Sequence, residues 1–162
     1  MSEQVLASKA EQSDFFADLL NRGLSLRVRV TGRSMQPFLR GGEIVTIKKV
    51  PCAELRIGDL IFFESSHGVL VLHRIVRKKL SDSGSHIFQT RGDGLMSFDE
   101  EIHEGSVLGK VLLIEKPSQS GKTTHINMNS LFYRCMNFSI AVAGFFKTQT
   151  WFFLSAALAK KT

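Results

Sequence analysis

Ser34 stands in the stretch TGRSMQPFLRGGE, residues 31–43, between two runs of alternating apolar residues. A serine hydroxyl is a weak nucleophile. It needs a base within hydrogen-bond reach, a group that orients the base, and donors for the oxyanion. The chain has five histidines to offer as that base. His67 falls in a turn, His86 begins a strand pattern, His103 lies in a charged loop and His125 in a polar connector. His73 differs, because it sits inside the apolar strand pattern VLVLHRIV. Histidine titrates near neutrality, so it can take the serine proton and return it to a leaving amine. A carboxylate beside it would set its tautomer and stabilise the imidazolium. Asp93 and Asp99, in QTRGDGLMSFDEE, offer that carboxylate from a glycine-rich turn, where aspartate is also common for turn chemistry alone.

The elements that must hold these residues read as mostly β. SDFFADLLNR, residues 13–22, has the spacing of a helix, with Ser13 placed to cap it and Gly23 to end it. LSLRVRVT alternates strictly, with Leu24, Leu26, Val28 and Val30 on one face, as in a half-buried strand. EIVTIKKV, LIFFE, VLVLHRIVRKKL, HIFQT and SVLGKVLLIEK follow as strands, separated by the turn signals GD, SSHG and SDSGS. This predicts a small antiparallel β domain over 24–116, led by a helical segment over 1–23. A polar linker follows over 117–130, then an apolar, basic helical tail over 131–162.

Composition bounds the rest. The 162 residues are 43% hydrophobic and 22% charged, enough for one folded domain with an appendage. The net charge of +6 favours an acidic partner. Two cysteines, Cys52 and Cys135, make no disulfide framework, and no Cys/His spacing suits a metal, so neither metal nor organic cofactor is expected. The GKT at 121–123 lacks the earlier glycine of a phosphate-binding loop, and the RGD at 91–93 is too short to carry meaning. The N-terminus has no basic start followed by an apolar run, so no secretory signal or spanning anchor is expected there.

In order, the chain carries GRSMQPFLRGGE, RIGDLIFF, VLHRIV, TRGDGLMSFDE and VLGKV. This order and spacing, over about residues 26–115, resembles the signal peptidase I superfamily. It is most similar to the Ser-His branch found in the endoplasmic reticulum, in archaea and in some spore-forming bacteria. The resemblance implies a β domain of the signal peptidase/LexA-like type and a serine endopeptidase that cuts extended peptides after small side chains. It assigns Ser34 as nucleophile, His73 as general base and Asp99 as the acidic partner, with Asp93 in the Gly-Asp turn also important to the site. Which of the two aspartates orients the imidazole stays open at this point. The branch has Ser-Gly before the nucleophile; here Gly32-Arg33 stands instead.

The tail adds a second expectation. Its apolar runs of about a dozen residues are split by KTQT and flanked by Arg134, Lys147, Lys160 and Lys161. Each run alone is shorter than the roughly 20 residues a bilayer span needs. The preferred reading is an interfacial helix or hairpin on an anionic membrane; a spanning tail and packing against the β domain are the other two. The protein is therefore expected to be membrane-associated with a cytoplasmic catalytic domain, to take a peptide or protein substrate and to have no nucleic-acid partner. Two rival functions remain: a non-catalytic β module that binds a membrane or partner, and a LexA-like self-cleaving regulator, which would use lysine where His73 stands.

Overall fold

The structure, a computed structural model, describes residues 9–117 and 121–159. Helix α1 (Lys9–Asn21) precedes strands β1 (Ser25–Arg29), β2 (Ile44–Lys48), β3 (Leu60–Glu64), β4 (Leu70–Leu80), β5 (His86–Arg91), β6 (Glu101–His103), β7 (Val107–Pro117) and β8 (Thr123–Asn127). Helix α2 (Leu131–Ala159) closes the described chain. The strands form one antiparallel sheet in the order β1-β2-β7-β3-β4-β5-β6, with β8 also on β7, and the sheet curls into a half-barrel. β7 serves three partners. β2 runs along one edge, while β3 and β8 share the other, β3 at residues 107–110 and β8 at 113–117.

The apolar pattern explains which faces are covered. β3 reads Leu-Ile-Phe-Phe without alternation, and those four residues are buried. Leu60 and Phe62 join one core with Leu26, Val45, Ile47, Val111 and Ile114. Ile61 and Phe63 join another with Ile75, Phe88, Ile102 and Val107. A central strand covered on both faces gives such a run. α1 seals the first core through Leu20 and Phe16 and stops at Gly23, whose φ of +81° suits a left-handed C′ residue.

Several expectations need correction. Ser13 does not cap α1: it lies inside the helix, buried, and donates to Glu64 Oε2 at 2.5 Å. Leu24, expected on the buried face of β1, precedes the strand and is exposed. The sheet does not end near Lys116, because the stretch read as a polar linker contains β8; its centre, Ile126, is buried on β7. The residues around His103 form β6, pinned by buried Ile102. The tail is one continuous helix through KTQT, since that stretch has neither proline nor glycine to stop it. Among the described residues no helix is long and apolar enough to cross a membrane. Lys160 and Lys161 lie outside the described residues.

α2 packs on the sheet with an unusual face. Its inward residues, at helical spacing, are Asn137, Ala141, Gly144 and Thr148. Small residues let the helix approach closely. Gly58, with φ +97°, meets the α2 backbone: a Cβ there would lie 2.8 Å from the Asn137 carbonyl carbon. Gly58→Ala therefore combines a forbidden backbone region with a backbone clash. It should cost about 2–4 kcal/mol and lower the thermal midpoint, whereas alanine at Gly23, where a Cβ meets nothing within 4 Å, should cost less. A melt series on the two variants checks the ranking.

Candidate active site

Ser34 sits on a loop that is closed at its neck. Val30 N–H donates to Glu43 O at 2.8 Å and Gly42 N–H to Val30 O at 2.7 Å. The buried Glu43 carboxylate accepts from the amides of Arg40 and Gly41, each at 2.8 Å. Gly41 and Gly42, at φ +98° and +96°, make the reversal that a side chain would strain. Met35 and Leu39, fully buried, anchor the loop in the first core. The glycine pair and Glu43 thus serve one purpose, which is to hold the Ser34 turn rigid at the sheet rim. The amide N–H of Ser34 has no acceptor among the described residues.

His73 lies on β4 opposite Ile61 of β3, with Phe63 edge-on to its ring. Its Nε2 is 2.9 Å from Ser34 Oγ and its Nδ1 is 2.6 Å from Asp99 Oδ2. Asp99 is fixed from β5: its N–H donates to Thr90 O at 2.9 Å, and Thr90 Oγ–H donates to Asp99 Oδ2 at 2.6 Å. Burial pushes the Asp99 carboxyl up. The hydrogen bond and charge of His73, the Thr90 hydroxyl and Arg91 outweigh that, and hold it below the usual carboxylate range. An anionic Asp99 accepts a hydrogen bond from Nδ1–H, which keeps the proton on Nδ1 and leaves Nε2 to accept from the serine hydroxyl.

The structure thus brings Ser34, His73 and Asp99 together in series. Asp93 is elsewhere. Its carboxylate grips Arg74 bidentately, Oδ1 from Nε at 2.8 Å and Oδ2 from Nη2 at 2.7 Å, with both side chains buried. Arg74 Nη1 donates to Gly58 O and Asn137 Oδ1, at 2.9 and 2.7 Å. The turn that carries Asp93 also touches the serine loop, since Gly94 N–H donates to Ser34 O at 2.8 Å. A Cβ on Gly92 would lie 2.6 Å from that same oxygen. Asp93 is therefore a positioning residue for the loop and Asp99 the partner of the imidazole. Sequence reasoning gave no role to Thr90, Arg74, Gly92 or Asn137. The first three lie inside the quoted VLHRIV and TRGDGL motifs, whereas Asn137 left no signal in its apolar surroundings.

His86 pairs with Glu104, and neither it nor His67, His103 or His125 contacts Ser34. No group of three or more metal-ligating side chains occurs among the described residues. Cys52 and Cys135 are free thiols, and burial pushes Cys52 up. A cleft of about 350 Å³ runs up to Ser34 and His73, lined on one side by Val28, Val30 and Gly32 and on the other by Leu70 and Leu72. Gly32 has open space where a side chain would stand, and Arg33 is exposed. No protein-family model matches the chain, and no curated protein matches it.

Two variants test the two aspartates. Asp93→Asn leaves the Arg74 charge buried without its counter-ion and should cost about 3–5 kcal/mol. Asp99, with a depressed folded-state pKa, contributes stability that is complete above the ordinary value of about 4. That contribution is lost as pH falls through the lower folded value. Asp99→Asn should therefore flatten the acid limb of a stability-versus-pH curve, and its thermal midpoint should approach that of the parent as the pH falls below the ordinary carboxylate range.

Proposed function

We propose that the chain is a serine endopeptidase of the signal peptidase I superfamily, using the Ser-His arrangement, that works on extended peptides at a membrane surface. The observation that carries the reading is the hydrogen-bonded series Ser34–His73–Asp99 at the end of an apolar cleft. The curled antiparallel half-barrel supports the signal peptidase/LexA-like fold type.

Two strand edges border the cleft. β1 ends the sheet, and β4 has no β5 partner before Arg74, so Leu70–His73 keep a free edge. A peptide laid between them would have its backbone groups paired along the way. His73 would take the Ser34 proton as the hydroxyl attacks the scissile carbonyl. The Ser34 amide would donate to the oxyanion, worth about 3–4 kcal/mol for a well-placed donor. The imidazolium, steadied by Asp99, would then protonate the leaving amine, and water would release the acyl group from Ser34 by the same base.

α2 supports the membrane part. Its outward stripe, Leu131, Cys135, Phe138, Val142 and Phe146, is mostly apolar, with Arg134 and Lys147 exposed beside it. Such a helix would lie in the headgroup plane. The same stripe favours a second reading, a non-catalytic membrane-binding module. A LexA-like self-cleaving regulator would need lysine at residue 73.

Ser34→Ala separates the readings. Cleavage of a peptide library rich in small residues, followed by mass spectrometry, should fall about 10³-fold or more. The thermal midpoint should stay within the shift that about 1 kcal/mol produces. Asp99→Asn should keep the fold at neutral pH and lose about 10³- to 10⁴-fold in kcat through the wrong tautomer. Full cleavage by the alanine variant would remove Ser34 from the chemistry, whereas no cleavage by either protein, with membrane binding equal in both, would leave the binding module.

A further inference from the structure

A cavity of about 690 Å³ lies apart from the catalytic cleft, between the last turns of α2 and the loop after β5. Its apolar walls come from both sides: Leu95, Met96 and Phe98 from the loop, Trp151 and Phe152 from the helix. Leu95 and Met96 are each 37% exposed, Trp151 55% and Phe152 68%, so water covers an apolar surface built from two elements. The volume suits a small organic ligand, which typically fills roughly 300–1,000 Å³.

Among the described residues one cation lines this cavity. Arg77, exposed on β4, lines it and stacks its guanidinium over Phe145 at 5.8 Å. No acidic side chain pairs with Arg77 among the described residues. Asp99 also borders the cavity, but its carboxylate is occupied by His73 and Thr90. A long apolar wall with a single unpaired guanidinium is complementary to an amphiphile with an anionic head. An arginine suits phosphate because its fork of N–H donors matches the phosphate oxygens. Phe138 and Phe146 of the same helix are exposed, and a bilayer as the source of the ligand rests on the membrane part of the reading above.

We propose that this groove binds one anionic phospholipid from the bilayer, with the phosphate at Arg77 and an acyl chain along Leu95, Met96, Phe98, Trp151 and Phe152. The site is independent of the peptidase reading and stands or falls without it.

The chain has a single tryptophan, and it lines the groove, so Trp151 emission reports occupancy directly. The full chain is titrated with dihexanoyl phosphatidylglycerol below its micelle concentration. The expected result is a saturable blue shift, with no shift from inorganic phosphate alone. Dihexanoyl phosphatidylcholine should bind about fivefold or more weakly, and Arg77→Gln should lose a similar factor for the anionic lipid. Met96→Glu should abolish the shift. Arg77 is exposed, so its variant should melt as the parent does, which keeps the test valid if Met96→Glu fails to fold. Ser34→Ala protein should bind the lipid as the parent does, even if peptide cleavage is never found. A shift that appears only above the micelle concentration, or equal midpoints for both lipids and for Arg77→Gln, would overturn the proposal.

Discussion

The buried ion pair between Arg74 and Asp93 constrains the rest of the site. Two charges removed from water are tolerated only when each is paired and hydrogen-bonded. Arg74 meets that condition by drawing four segments to one point. Asp93 comes from the turn after β5, Gly58 O from the start of β3 and Asn137 from α2, while Phe38 of the serine loop covers the guanidinium at 4.9 Å. With Asp93 fixed, its neighbour Gly94 holds Ser34 O, and Thr90 and Asp99 flank the same turn. His73 precedes Arg74 on β4 and so points to the opposite face of the strand. The serine, imidazole and carboxylate meet because a charge next door on the chain cannot be left unpaired.

α2 belongs to this arrangement and reverses the usual rule for a surface helix. Its polar and small residues face in: Asn137 reaches Arg74, and Thr148 lies 3.4 Å from the buried Arg91 guanidinium. Gly144 lies against that same guanidinium, where any side chain would collide with it. Phe132, Phe138, Phe146 and Phe152 are exposed. On the proposed reading a lipid surface would cover those rings. The helix would then link a membrane-facing surface to the two arginines that flank His73 and Thr90 in the chain.

Much of the site was legible because it rests on local order. Ser34 breaks two alternating runs, His73 interrupts an apolar strand, and Asp99 follows a glycine-rich turn at short range. The β character was legible for the same reason, since LSLRV and LIFFE announce half-buried and doubly buried strands. What stayed hidden depends on distant partners. β8 is a polar stretch with one apolar anchor, Ile126, and pairs only because β7 offers an edge. Ser13 looks like a cap until Glu64 is brought beside it. The roles of Asp93 and Asp99 differ only through what the fold sets against them, arginine for one and imidazole for the other. α2 reads as two runs because Lys147 and Thr148 interrupt the hydropathy; Thr148 faces inward to Arg91, and no backbone breaker accompanies it.

The central claim is that Ser34 is a nucleophile activated by His73. Covalent trapping tests it most directly: the full chain is incubated with a fluorophosphonate and the adduct is located by mass spectrometry of its peptides. The account predicts a single phosphonylated residue, Ser34, with labelling that slows by orders of magnitude in His73→Ala. No labelling of the folded protein, or labelling at Ser34 that proceeds as fast without the imidazole, would contradict it.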